Sequence, residues 1–257
     1  MDDYSLFKNQ VYKKTGIDLS SYKEKQMKRR IEALASRKGF DSLSDYYMSL
    51  DKDAILLNEF VNYITINVSE FFRNPAQWKT LRELIMPKLM PDSKELKIWS
   101  SACSTGEEPY SLVMMLEETM PPERIKVIAT DIDMGAIEKA RKGIYKENSL
   151  KNMDPSRIRK YFDKTNDGYL ISDNVKKKVE FGRLDLLRYV FPAGCSLILC
   201  RNVLIYFTED AKQHIYSKFS RALMPGGVLF VGSTEQIVLP AKYGFTSIKP
   251  FFYRKDG

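Results

Sequence analysis

The stretch SACSTGEEPYSL, Ser101–Leu112, has the layout of a nucleotide-binding turn. The apolar run ELKIW, which predicts a strand, precedes it, and a helical pattern follows its small residues and Gly106. Two acids, Glu107 and Glu108, stand where that helix would begin. A helix N-terminus attracts anions, but these two carboxylates would repel a phosphate placed there. The turn therefore suits a ligand without phosphates. We expect Gly106 to let the backbone approach that ligand, Glu107 to contact it, and Glu108 to favour the helix start.

The residues after this turn alternate between short apolar runs and helical patterns. The predicted strands are IKVIATDID, CSLILCRNV and VLFVGS, and the predicted helices are EEPYSLVMMLEETM, MGAIEKARKG and TEDAKQHIYSKFSRALM. Short buried strands joined by helices are typical of right-handed βαβ units and a parallel sheet covered on both faces. We expect PGG to break the chain before VLFVGS, and TSIKPFFYRK to add a final antiparallel hairpin strand.

Two regions fall outside this alternation, so residues 1–70 are predicted to be a helical domain and residues 71–257 an α/β domain. In SSYKEKQMKRRIEALASRKGF, the residues Met27, Ile31 and Leu34 form one apolar stripe, with Ser20 or Ser21 as the N-cap and Gly39 at the end. SLSDYYMSL and AILLNEFVNYITIN predict two further helices. Residues 144–184, with DPSRIRKYF, GYLI and KKKVEF, predict a short helix and a small antiparallel β insertion, after which EFGRLDLL returns to the main sheet.

The charges are unevenly distributed. The chain carries a net charge of +8, and residues 8–38 hold ten Lys and Arg against three acids. Residues 139–188 hold fourteen basic residues against seven acids, whereas residues 41–59 hold five acids against one Lys. Two basic patches indicate a surface for an acidic partner, either a nucleic acid or an acidic protein. Solvated helix faces would explain a single patch equally well.

Several classes of protein are excluded by what the sequence lacks. The N-terminus has no apolar stretch typical of a secretory signal, and no apolar run is long enough to span a membrane. The three cysteines match no metal or redox spacing, and the single histidine, His214, lies in a helical pattern. We therefore expect a reduced cytoplasmic protein that uses neither a metal nor a histidine base.

The predicted strand ends place acidic and polar side chains at one edge of the sheet, where ligands bind in open α/β folds. Asp131 and Asp133 end the second strand, and such a carboxylate can accept ribose hydroxyls, although strand-end Asp residues also cap helices. S-adenosylmethionine fits this pattern, since it carries an adenosine, a sulfonium and an ammonium but no phosphate. A carboxylate that accepts its methyl group is already ionised at neutral pH and needs no general base.

Five motifs in order resemble a known family, the bacterial chemotaxis receptor methyltransferases, which methylate glutamates of methyl-accepting chemotaxis proteins. The motifs are NVSEFFRN, SSACSTGEEPYSL, ATDID, ARKGIY and LCRNVLIYF. The resemblance extends from about residue 5 to residue 253. It implies a Rossmann-like class I S-adenosylmethionine-dependent methyltransferase sheet with an N-terminal all-α domain and a small antiparallel β insertion. It also implies a protein-glutamate O-methyltransferase whose glutamyl methyl esters serve sensory adaptation, with S-adenosylhomocysteine as the second product.

The resemblance also implies the site residues. The residues that would bind the cofactor are Asn67, Ser69, Arg73, Glu107, Asp131, Asp185, Leu186, Arg201 and Asn202. Within this set Asp131 would hold the ribose hydroxyls, and Asp185 and Leu186 would flank the adenine. Arg73 and Tyr206 would be the catalytic residues, orienting substrate and cofactor without transferring protons. The alternatives are a salt bridge for Arg73 and core packing for Tyr206.

The basic helical domain gains a partner from the resemblance. The residues expected to dock on the Glu-rich and Gln-rich methylation helices of the receptors are Lys23, Lys25, Lys28, Arg29 and Arg30. We expect a cytoplasmic monomer that is recruited to membrane receptor arrays, does not insert into the membrane and binds no nucleic acid. Because the turn in FDKTNDGYL is short, we also expect no dependence on a C-terminal receptor pentapeptide.

Three other functions remain open at this point. The basic patches would suit a nucleic-acid methyltransferase, although the sequence has no NPPY-type motif and no catalytic Cys in a Pro-Cys context. The strand-turn-helix layout would suit a nicotinamide-dependent Rossmann enzyme. A non-catalytic scaffold of the same fold is the third alternative.

Overall fold

Apolar residues at helical spacing build four helices in the N-terminal part of the chain. The computed structural model describes residues 2–89 and 96–257. The four helices are α1 (Asp3–Thr15), α2 (Glu24–Arg37), α3 (Leu43–Lys52) and α4 (Ala54–Ile64). The predicted stripe of Met27, Ile31 and Leu34 is buried on α2, which confirms this helix. The helices share an aromatic core in which the rings of Phe7 and Phe60 meet edge to face, with 5.7 Å between their centroids.

The start of α2 differs from the prediction. Ser20 and Ser21 belong to a separate 3₁₀ turn, Leu19–Ser21, because Asp18 accepts the Ser20 N–H at 2.9 Å and begins a turn of its own. The helix starts one turn later, after Lys23, and no side chain caps it. Its end agrees with the prediction, since Gly39 follows it in the left-handed region with φ +84°.

From residue 96 onward, the elements of the main sheet follow the alternation that the sequence predicts, whereas the helix before them was not predicted. A helix comprising α5 (Pro75–Thr80), a π-helical turn at Leu81–Ile85 and α6 (Met86–Leu89) leads to the first strand. The later helices are α7 (Glu107–Leu116), α8 (Met134–Lys142), α9 (Pro155–Tyr161), α10 (Asp173–Lys176) and α11 (Glu209–Ala222). The strands are β1 (Ile98–Ser100), β2 (Val127–Asp131), β3 (Ile144–Tyr145), β4 (Phe162–Thr165), β5 (Gly168–Ile171), β6 (Val179–Arg183), β7 (Cys195–Cys200), β8 (Leu223–Val231), β9 (Phe245–Lys249) and β10 (Phe252–Lys255). The predicted strand ELKIW begins at Glu95, which lies outside the described residues.

Seven strands form the main sheet, in the order β6-β2-β1-β7-β8-β10-β9. The first five of these strands are parallel, and β10 is antiparallel to both β8 and β9, so the predicted C-terminal hairpin is confirmed. The chain runs outward from β1 to β2 and β6, then returns to β7 on the other side of β1. Strand order therefore reverses between β1 and β7, and in open α/β sheets ligands bind outside the carboxyl ends of the strands at such a reversal.

The predicted break at PGG is wrong. Residues 225–227 lie inside β8, where Leu223 pairs with Cys195 and the next pair is Val228 with Leu197. Three more residues are used on β8 than on β7 between these pairs, and Gly226 has φ +78°. The turn residues therefore form an irregularity within the strand, because pairing with β7 continues on both sides of it.

The predicted small antiparallel sheet within 144–184 is confirmed, as is the return of EFGRLDLL to the main sheet, but the placement of KKKVEF in the insertion is wrong. The strands β3, β5 and β4 form a separate antiparallel sheet that ends at Ile171. KKKVEF does not join that sheet. The strand β6, which contains its last three residues, pairs in parallel with β2 at the edge of the main sheet.

Two compact units divide the described chain. One contains the chain up to Asn67 together with Tyr206–His214, and the other contains Val68–Ile205 and Ile215–Gly257. Within residues 2–89 and 96–257, no helix is both long enough and apolar enough to cross a membrane.

Candidate cofactor and methyl-transfer site

Asp131, the last residue of β2, lies at the carboxyl edge of the sheet. Its side chain is buried, and its two oxygens accept the main-chain N–H groups of Ser104 at 2.8 Å and Asp133 at 3.0 Å. Burial raises the pKa of Asp131 to about 6, although the hydrogen bonds from these N–H groups oppose the shift. The same contacts hold the turn after β1 against the end of β2. Ribose binding by Asp131 stays a prediction.

Gly106 takes the left-handed conformation at the start of α7, with φ +94°. A Cβ added there would lie 2.8 Å from Ala140 Cβ and 3.0 Å from the Tyr145 hydroxyl. The left-handed backbone and the close packing against α8 and β3 both require glycine at this position. The approach of the Gly106 backbone to a ligand stays a prediction.

Glu107 occupies the first turn of α7 and is 3% exposed. The Thr105 hydroxyl donates to it at 2.6 Å, and hydrogen bonds with Ser69 and Ser149 also favour its ionised form. Burial nevertheless raises its pKa. The structure thus brings together Ser69 and Glu107, two of the residues predicted to bind the cofactor.

Glu108 does more than favour the helix start. Its carboxylate accepts the Ser100 hydroxyl at 2.8 Å and forms an ion pair with Arg201, with 3.3 Å between Oε2 and Nη1. Burial raises the pKa of Glu108 even with this partner. Glu108 lies in the first turn of α7, as predicted, and is also one half of a buried charge pair.

Arg201 directs its side chain into the protein. Besides the pair with Glu108, its Nη2 donates to the Arg73 carbonyl at 2.7 Å and to Gln77 Oε1 at 2.9 Å. The guanidinium also lies 4.6 Å from the centroid of the Phe230 ring. A cofactor contact from residue 201 would therefore come from its main chain, and that role stays a prediction.

Arg73 lies in a segment with unusual backbone conformations. Phe72 and Asn74 on either side of it have φ values of +50° and +59°. Phe72 N–H donates to the Ser111 hydroxyl on α7 at 3.0 Å, and Arg73 Nη1 donates to the Val68 carbonyl at 3.1 Å. In the part of the chain that the structure describes, no carboxylate forms an ion pair with Arg73, so a salt bridge does not explain this residue.

Asp185 and Leu186 follow the carboxyl end of β6. Asp185 is buried, accepts the Leu187 N–H at 2.8 Å, and has a pKa raised by that burial. The carbonyl of Leu186 accepts from Lys218 Nζ at 2.6 Å. Asn202 follows β7 and takes the left-handed conformation with φ +60°.

Asn67 and Tyr206 belong to the first compact unit. Asn67 Nδ2 donates to the Thr65 hydroxyl at 3.1 Å. The Tyr206 carbonyl accepts the Lys23 N–H at 2.9 Å, and Tyr206 is only partly buried. Core packing is instead the role of Phe207, which is 4% exposed and packs against Tyr22 with 4.8 Å between ring centroids.

The five basic residues predicted to dock receptors differ in their availability. Lys23, Lys25 and Arg29 are exposed. Lys28 approaches Glu32 at 4.0 Å. Arg30 donates from Nε to the Tyr63 carbonyl at 2.8 Å and lies 4.0 Å from the centroid of that ring, so its charge is directed into the helical unit.

Sequence reasoning missed one residue, Glu235. It follows the predicted strand VLFVGS, is 4% exposed, and accepts four main-chain N–H groups. The only signal was an acid at a strand end, which local pattern does not distinguish from a surface residue.

The chemistry of the site fits S-adenosylmethionine. Two buried carboxylates, Asp131 and Glu107, lie at the turn after β1, where a dinucleotide site would receive a pyrophosphate. Such acceptors suit ribose hydroxyls and an ammonium group. The sheet order and this turn together fit the class of S-adenosylmethionine-dependent methyltransferases.

The comparisons with known proteins narrow this class. Residues 67–252 match the family model described as CheR methyltransferase, SAM binding domain, and residues 2–65 match CheR methyltransferase, all-alpha domain. The chain therefore belongs to the CheR methyltransferase family. It is 42% identical to the chemotaxis protein methyltransferase of Listeria monocytogenes, over 98% of this chain and 97% of that protein. The corresponding Escherichia coli protein is 34% identical, over 88% of this chain and 81% of its own length.

The family resemblance predicted from the motifs is thus confirmed, as is the fold. The chain is therefore a methyltransferase with an S-adenosylmethionine binding domain. A nicotinamide enzyme, a nucleic-acid methyltransferase and a non-catalytic scaffold are not supported.

Proposed function

We propose that the methyl acceptors are glutamate side chains on the methylation helices of chemotaxis receptors, and that the products are glutamyl methyl esters. The observation that supports this proposal is the state of the Arg73 side chain. Its guanidinium donates to the Val68 carbonyl and has no ion-pair partner among the described residues, so it can hold an acceptor carboxylate.

The proposed division of labour follows from the hydrogen bonds. When bound, S-adenosylmethionine supplies a methyl group on a sulfonium. The sulfur is an excellent leaving group because it departs as a neutral thioether. Asp131 would accept ribose hydroxyls, with its orientation fixed by the N–H groups of Ser104 and Asp133. Glu107, supported by Thr105 and Ser69, would accept from the ammonium group.

The residues near the acceptor would orient and not exchange protons. A glutamate carboxylate is ionised at neutral pH, so alignment supplies most of the rate. Arg73 would align that carboxylate, and Tyr206 stays a proposed orienting residue. This assignment needs no histidine, and the single histidine of the chain, His214, lies on α11.

Receptor docking would use the exposed basic side chains of α2. Lys25 and Arg29 are exposed there, and Lys23 immediately precedes the helix. These charges would attract the acidic methylation helices, and the attraction would weaken as the salt concentration rises. We propose that the enzyme acts as a monomer recruited to receptor arrays without a C-terminal pentapeptide tether. Micromolar binding of such a peptide in calorimetric titration would argue against the last point.

The test is to incubate the protein with tritiated S-adenosylmethionine and receptor membranes and then treat the labelled receptor with base. A glutamyl methyl ester releases its label as volatile methanol, whereas base-stable label would contradict this function. Arg73→Ala should lower the rate roughly a hundredfold, since misalignment of reacting groups has costs of that order. The matched control, Arg124→Ala, removes an exposed arginine on a short 3₁₀ turn and should leave the rate unchanged.

A further inference from the structure

Glu235 is a buried carboxylate whose acceptor sites are filled by the main chain. Its Oε2 accepts from Asn202 N–H at 2.6 Å and Gly232 N–H at 2.8 Å. Its Oε1 accepts from Leu204 N–H at 2.6 Å and Ile205 N–H at 3.2 Å. No ion pair reaches Glu235 from the part of the chain that the structure describes. Burial raises the pKa of Glu235, and the hydrogen bonds from the four N–H groups oppose that shift by stabilising the ionised carboxylate.

Three of these N–H groups belong to the turn that follows β7. The strand ends at Cys200, Asn202 is left-handed with φ +60°, and a 3₁₀ turn occupies Leu204–Tyr206. Beyond the strand end these N–H groups have no ladder partner, and a buried main-chain donor needs one. Glu235 supplies that partner, and so the conformation of the turn depends on a side chain about thirty residues further along the chain.

The contact is also closely fitted. A Cβ on Gly232 would lie 2.4 Å from Glu235 Oε2 and 2.8 Å from the Asn202 nitrogen. Only glycine at position 232 therefore lets the carboxylate reach the turn in this arrangement. The Glu235 carboxylate therefore fixes the loop after β8 to the loop after β7 through these hydrogen bonds.

We propose that Glu235 is a positioning residue of the methyltransferase, which sets the main chain of Asn202–Ile205 and through it Asn202 and the adjoining Tyr206. The segment that it holds contains Asn202, which the family resemblance assigns to the cofactor, and it directly precedes Tyr206, which the proposed function assigns to orienting the acceptor. This inference rests on those assignments. The carboxylate itself is enclosed by the main chain, so it acts through the turn and touches neither substrate nor cofactor.

Glu235→Gln tests this with an unchanged side-chain shape. One amide oxygen still accepts two N–H groups, but the amide NH₂ faces the other two donors. We expect kcat for receptor methylation to fall at least about tenfold, with the receptor KM changed by less than about threefold, since an alignment defect acts in the transition state. We also expect weaker binding of S-adenosylhomocysteine in calorimetry, a readout that does not depend on turnover. Glu235→Asp, which keeps the charge, should recover part of both losses.

The control separates positioning from stability. Val175→Ala removes buried volume from α10, and its unfolding midpoint in urea shows how a comparable loss of stability affects kcat. Positioning is overturned if folded Glu235→Gln has the wild-type kcat and S-adenosylhomocysteine affinity, or if its kcat falls no more than that of Val175→Ala. Should Glu235→Gln fail to fold, Glu235→Asp is judged by the same criteria. If the wild-type label is base-stable, the proposed function fails, while the S-adenosylhomocysteine affinities still decide the role of Glu235.

Discussion

Glu108 and Arg201 form a buried ion pair, with 3.3 Å between Oε2 and Nη1, and the same guanidinium donates to the Arg73 carbonyl at 2.7 Å. One charge pair thus joins the start of α7, the end of β7 and the segment that contains Arg73. Removal of one partner leaves the other charge buried and unpaired, whereas removal of both is often nearly neutral.

The first prediction is that Arg201→Met destabilises the protein by about 3–5 kcal/mol, because Glu108 then loses its counter-charge. Urea unfolding followed by circular dichroism measures this. The double variant Glu108→Gln/Arg201→Met should recover a large part of the loss. Strictly additive effects of the two substitutions would show that the pair is not energetically coupled.

The second prediction concerns Asp131 and pH. Its pKa is raised to about 6, so its carboxylate is ionised above that pH and accepts ribose hydroxyls, while below it the protonated form accepts them poorly. The affinity for S-adenosylhomocysteine should therefore decrease as pH falls, by roughly fourfold between pH 7.5 and 5.5 from this group alone. Calorimetric titration across that range measures the effect. Asp131→Asn should bind weakly at every pH and lose this dependence; an equally steep profile in the variant would assign the titration to another group.

The third prediction concerns Gly106. Gly106→Ala combines a strained left-handed backbone, φ +94°, with a Cβ 2.8 Å from Ala140 Cβ. Gly39→Ala is a matched control, because its φ is +84° and no atom lies within 4 Å of the added Cβ. We expect the control to cost about 1 kcal/mol from backbone strain and Gly106→Ala to cost clearly more. Urea unfolding compares them, and equal losses would mean that the contact with α8 relaxes freely.

The fold could be predicted from sequence because its signals are local. Apolar runs, helix patterns and strand-end acids gave the βαβ alternation and placed Asp131 at the sheet edge, where the structure confirms it. Errors occurred where pairing between distant segments outweighs local preference. PGG predicts a break, yet both sides of it pair with β7 in the sheet. The end of KKKVEF was predicted to lie in the insertion, yet it pairs with β2 in the main sheet.

The direction in which a long polar side chain points was the other property that the sequence could not predict. The sequence predicts a cofactor contact for Arg201 and receptor docking for Arg30, and it does not show that both side chains donate to carbonyls of their own chain, at residues 73 and 63. The cofactor contact of residue 201 stays a prediction. Such partners are distant in sequence and leave no periodic pattern. Glu235 was missed for the same reason, because its partners lie in the loop after β7.

The last prediction uses a difference between the basic residues of α2. Lys25 and Arg29 are exposed, whereas Arg30 donates to the Tyr63 carbonyl. Lys25→Glu/Arg29→Glu should raise the receptor KM by roughly tenfold at low salt, since steering charges change association rates by such factors. The effect should shrink as salt rises, and S-adenosylhomocysteine affinity should stay unchanged. Arg30→Ala should instead lower the free energy of unfolding, because it removes the hydrogen bond to the Tyr63 carbonyl and the ring contact.

The control for this prediction is Lys126→Glu/Lys249→Glu, which makes the same charge change at two exposed positions of the α/β unit. Methylation of receptor membranes at several salt concentrations gives KM for each variant. A similar rise in KM for both double variants would mean that net charge matters and the location on α2 does not. A KM unchanged by Lys25→Glu/Arg29→Glu at low salt would remove α2 from receptor docking.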